Sequence, residues 1–106
     1  MAVIFIIVTL KPGVDPDVYE AFVREHDRGF ARQRANFTSY NVHRISGPVK
    51  AAQSVDWRYV ERLEVESLEQ YWRDLESPAG RALIGEIEER FVDASKTIFF
   101  TSDIVA

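Results

Sequence analysis

Residues 3–10, VIFIIVTL, are apolar in both registers, with Val3, Phe5 and Ile7 on one side and Ile4, Ile6, Val8 and Leu10 on the other. Their β-branched content predicts a strand. KPGVDP breaks it, and Asp15 followed by Pro16 supplies an N-cap and a first helical residue. From there Tyr19, Phe22, Val23, His26 and Phe30 recur at steps of three or four. That spacing predicts one helix through about Arg34 with the stripe turned to the core. FTSYNVHRI (37–45) and WRYVERLEV (57–65) read as two further strands. Ser67 and Gln70 make a capping box for a second helix through about Glu76. Ser77-Pro78 interrupts that helix and starts another, which carries Leu83, Ile84, Ile87 and Phe91 on one face. TIFFTSDIV (97–105) is the last strand.

The order is β-α-β-β-α-β. Helices in this order cannot cover both faces of a sheet, so they pack on one. The expected fold is α+β: a ferredoxin-like sandwich with an antiparallel four-stranded sheet, one domain over residues 1–106. The last strand repeats the pattern of the first, with Ile98, Phe100 and Ile104 against Phe99 and Val105. A strand wet on one side should alternate, and these two do not. An open apolar sheet face is rare on a soluble monomer, so the pattern predicts a homodimer packed through the sheet face.

The 106 residues carry a net charge of −4. That gives no basic footprint for nucleic acid. There is no cysteine, which removes disulfides, thiolate nucleophiles and cysteine metal sites. The apolar run after Met1 lacks a preceding basic segment and is shorter than the ~20 residues of a membrane span. The expectation is a cytoplasmic protein with no targeting segment and no membrane contact.

Chemistry-bearing residues are few. The histidines are His26 and His43, and no metal-ligand spacing surrounds them, so no metal site is expected. His26 on an apolar stripe has two readings, a neutral core ring or a general acid–base whose pKa burial lowers. Gly29 lies on the same stripe, where glycine costs ~1 kcal/mol against alanine. Either close packing or a cavity beside the imidazole would compensate. His43 and Arg44 are neighbours on a strand and point to opposite faces, so one of them faces the helices. Trp57, Tyr59, Leu63 and Val65 share a face, as core or as the wall of a pocket for a flat aromatic. Arg24, Arg28, Arg32 and Arg34 crowd the end of the first helix as a solvated face. The connection over 47–56 is long for a hairpin, as a lid or a dimer arm would be.

The element order, the histidine in REHDRGF and the broken helix YWRDLESPAGRAL resemble the dimeric α+β barrel superfamily over the whole chain. EthD-like and stress-responsive barrel proteins are similar, but Arg28 and Gly80-Arg81 depart from their pattern. The length, VYEAFVREHDRGFARQ and the closing KTIFFTSDIVA are similar to the REDY-like, HapK-type family. That resemblance implies prodiginine pigment biosynthesis and a small protein that holds or acts on a pyrrole or bipyrrole intermediate. The resemblance fixes no reaction, but the reading of the residues is compatible with it: His26 is the expected catalytic base, and Phe22, Gly29, His43, Arg44, Trp57 and Tyr59 are the expected ligand contacts. The expected chemistry is a cofactor-free condensation or cyclisation. Two other readings stand beside it: a cofactor-independent monooxygenase or isomerase on a polyketide-like aromatic, and a non-catalytic ligand-binding module.

Overall fold

A computed structural model describes residues 1–106. Strand β1 spans Ala2–Val8 and helix α1 Pro16–Phe22. A π-helical turn over Val23–Asp27 leads into α2, Arg28–Arg32. Strands β2 (Phe37–Arg44) and β3 (Tyr59–Val65) follow, then α3 (Leu68–Glu76) and α4 (Pro78–Arg90). A short 3-10 turn, Ala94–Lys96, precedes β4, Ile98–Ser102. The sheet is antiparallel in the order β2-β3-β1-β4. This is the α+β arrangement expected.

The helix starts are made as the sequence predicts. Asp15 accepts the Asp17 amide at 2.9 Å, and Ser67 Oγ accepts that of Gln70 at 3.1 Å. The capping box is half formed, because the Gln70 side chain turns forward to Asp74. Ser77 closes α3 and opens α4, its hydroxyl donating to the Asp74 carbonyl and accepting the Gly80 amide.

Register decides what each face of the sheet carries. Ile4, Ile6 and Val8 pair with Leu63, Glu61 and Tyr59 and face the helices. The core forms there with Tyr19, Phe22, Val23, Tyr71 and Phe91. The opposite face carries Phe5 stacked on Phe100, ring centres 5.5 Å apart, with Ile7 paired to Ile98. Ile98 and Phe100 are exposed. No helix is long and apolar enough to cross a membrane.

One expectation needs correction. The first helix is not continuous. At the π turn the Arg28 amide bonds to the Val23 carbonyl, five residues back. The wide turn takes up one extra residue and advances the buried face by one position. Asp27 and Ala31 are buried, while His26 is exposed and Phe30 only half-buried.

Candidate active site

Between the helices and the sheet lies a cavity of about 410 Å3. Ile6, Leu63, Phe37, Tyr71, Leu75 and Leu83 belong to its largely apolar wall, while Trp72 and Phe99, both partly exposed, belong to its rim. The volume falls within the roughly 300–1,000 Å3 of small-molecule sites. Among the polar side chains on this wall, three come together from three elements: Asp27 from the π turn, Tyr40 from β2 and Glu61 from β3.

They form a connected cluster. The Tyr40 hydroxyl lies 3.2 Å from Asp27 Oδ2 and 3.2 Å from Glu61 Oε1. A phenol has one proton to donate. It can serve one carboxylate, and the second contact is then made by a protonated carboxyl donating back to the phenol oxygen. Burial first, and then the neighbouring Asp27, push Glu61 up to about 8, against the hydrogen bond from Tyr40. Burial pushes Asp27 up to about 6, opposed by the Tyr40 hydrogen bond and the nearby His26. Burial also holds the Tyr40 phenol far above its ordinary range, so it keeps its proton. Near pH 7 the order is therefore neutral Glu61 donating to Tyr40, and Tyr40 donating to the Asp27 carboxylate. An acid and a base joined by a proton relay face an apolar cavity, the arrangement general acid–base chemistry needs.

The residues expected from sequence lie elsewhere. None of Phe22, His26, Gly29, His43, Arg44, Trp57 and Tyr59 lines the cavity. His26 is corrected from a cavity group to a surface one: its side chain is 55% exposed, 3.8 Å from Glu25 and against the Phe22 ring. The π turn rotates it outward and Asp27 inward. Gly29 has open space beside it, away from the cavity. His43 and Arg44 do take opposite faces, but both are exposed, so neither supplies the polar contact at the sheet end. Arg44 instead forks onto Glu20 at 2.6 and 2.8 Å, and Tyr59 donates to the same carboxylate at 2.6 Å. The Arg44 bond is the main cause that holds Glu20 down at about 2. Trp57 precedes β3 and is exposed, and Phe22 and Tyr59 are core. Glu61 was legible in principle, since it shares the parity of Tyr59, Leu63 and Val65 as a carboxyl in an apolar row. Asp27 was not, because nothing in α-helical spacing announces a π turn.

A family model described as "REDY-like protein HapK" matches residues 2–104. No curated protein matches the chain. Among solved structures, At3g17210 from Arabidopsis thaliana is similar at TM-score 0.78 and 12% identity, over 100% of this chain and 97% of that one. HapK from Hahella chejuensis is similar at TM-score 0.76 and 18% identity, over 100% and 95%. A protein from Thermobifida fusca, described as dimeric and ferredoxin-like, is similar at TM-score 0.71 and 12% identity, over 97% and 90%. At these identities the structural likenesses establish the fold.

Proposed function

The chain belongs to the REDY-like HapK family, and from that premise we propose that it serves pigment biosynthesis, taking a pyrrole- or bipyrrole-type intermediate into the cavity and assisting a condensation or ring closure. The observation that carries the chemistry is the Asp27–Tyr40–Glu61 cluster on the cavity wall. In a condensation, a ring carbon of one heterocycle attacks a carbonyl carbon of the other. Glu61 gives its proton to the carbonyl oxygen as the C–C bond forms, and Asp27 takes the proton from the attacking carbon. Transfer from Asp27 through Tyr40 to Glu61 restores the starting state, leaving a carbinol that sheds water. No metal or organic cofactor enters this sequence. Positioned acid–base groups contribute ~10²–10⁴-fold.

The test is product formation from a pyrrole carbaldehyde and a second pyrrole, with Asp27→Asn and Glu61→Gln beside the wild type. Each variant should lose at least ~100-fold in rate while still binding substrate. Equal rates in all three would remove the catalytic reading. Binding without any acceleration by the wild type would mark the protein as a carrier.

We also infer a homodimer formed through the open sheet face. Exposed Ile98 and Phe100, with the Phe5–Phe100 stack beside them, support it, and the similar Thermobifida fusca protein is described as dimeric.

A further inference from the structure

We propose that the cavity selects planar heteroaromatic ligands by a ring N–H, which the unpartnered Oδ1 of Asp27 accepts. This deepens the reading of the cavity as a site for flat aromatics, and it depends on no particular reaction there.

Asp27 is 8% exposed, and its two oxygens are unlike. Oδ2 is held by the Tyr40 hydroxyl, which fixes the plane of the carboxyl group. Oδ1 is buried and meets no donor. A buried acceptor left empty is costly, more so when charged. The side chain lines the cavity, so the carboxyl borders the space a guest would fill. Glu61 Oε1 and the Tyr40 hydroxyl are engaged with each other, which leaves Oδ1 as the fully buried acceptor of the cluster that meets no donor. The wall around it offers apolar surface for a flat ring, with Leu63, Tyr71 and Leu83 on separate elements.

The required ligand chemistry follows. A ring with an N–H puts a donor in its own plane and keeps apolar faces for the wall. Replacing that N–H by a ring oxygen turns a donor into a lone pair aimed at a carboxylate. Methylating the nitrogen removes the donor and adds bulk at the contact. Both changes leave Oδ1 unmet while keeping most of the apolar area, so the preference measures the hydrogen bond.

Indole, 1-methylindole and benzofuran are suitable probes, titrated into the intact protein with binding read from amide chemical shifts in NMR. Indole should bind at least ~10-fold more tightly than either analogue, the amount expected of a hydrogen bond to a charged acceptor. Asp27→Asn should shrink the preference, and Asp27→Leu should abolish it while all three probes still bind. A thermal melt of each variant confirms that it is folded, and Asp27→Asn carries the test if Asp27→Leu is not. Equal binding of the three probes to wild type, within about 2-fold, would overturn N–H selection and leave the cavity reading standing. A preference that persists unchanged in the variants would overturn it too. If no probe binds, the cavity reading itself falls.

Discussion

Glu61 stands opposite Ile6 on one neighbouring strand and Val42 on the other, a carboxyl in an apolar row. Its pKa rises from an ordinary 4.5 to about 8 on folding. The folded state therefore binds this proton more tightly than the unfolded chain, so stability is full below pH 4.5 and falls as pH rises to about 8. At pH 7 the loss is on the order of 3 kcal/mol. The raised Asp27 adds a fall of its own from pH 3.8 to about 6, so Glu61→Gln should flatten the dependence above about pH 6 and leave the variant more stable than wild type near pH 8, as urea melts across the interval would measure. The proposed condensation would have a narrower requirement, Asp27 ionised and Glu61 protonated. The rate of product formation should trace a bell with limbs near 6 and 8. His26→Ala should leave both rate and melting temperature nearly unchanged, because its ring is mostly in water. An effect comparable to that of Asp27→Asn would return His26 to the site. The histidine drew notice in the sequence as the one ionisable ring on an apolar stripe, while the aspartate beside it was indistinguishable from any surface acid.

Among the elements, the first helix departs most from its sequence pattern. Its stripe of Tyr19, Phe22 and Val23 holds as far as the π turn, beyond which the buried positions are Asp27 and Ala31. Removing one exposed residue from that turn, such as Glu25, restores α-helical phase to both halves at once. The deletion should fold, keep Asp27 in the cavity and shift the melting temperature by only a few degrees. Binding of an aromatic probe would confirm that the acid is still inside. The corner between α3 and α4 behaves oppositely. A Cβ at Gly80 would sit 2.3 Å from the Asp74 carbonyl oxygen and 2.5 Å from that of Leu75. Gly80→Ala should therefore destabilise by ~2 kcal/mol or more in a chemical melt, although alanine is the better helix former. The sequence declared this corner through Ser77-Pro78, and it declared the strands through their β-branched runs. Strand ends were less legible: β4 stops at Ser102 and β3 begins at Tyr59, because pairing partners set those limits and periodicity does not carry them.

On the scale of the molecule, order along the chain was enough to place helices on one side of the sheet, since few topologies satisfy it. The site was not legible in the same way. It joins residues 27, 40 and 61 from three elements, and only register and one irregular turn bring them together. The open side of the sheet makes a further prediction. Phe100→Glu, at an exposed position stacked on Phe5, should halve the mass seen by light scattering at micromolar concentration while leaving the far-ultraviolet circular dichroism unchanged. An unaltered mass would mean that the copies meet elsewhere or not at all.

Strand β4 has one further consequence, for solubility. It is an edge strand of five residues in which Ile98, Phe99 and Phe100 are all exposed, and it carries no charge and no proline. A short, uncharged, aromatic-rich edge is a template for intermolecular pairing and the usual seed of cross-β assembly. If the second copy is what shields it, losing the dimer should yield sedimenting aggregate on warming as well as free protomer. A lysine at Phe99 would then act as a gatekeeper that restores clarity without restoring the dimer.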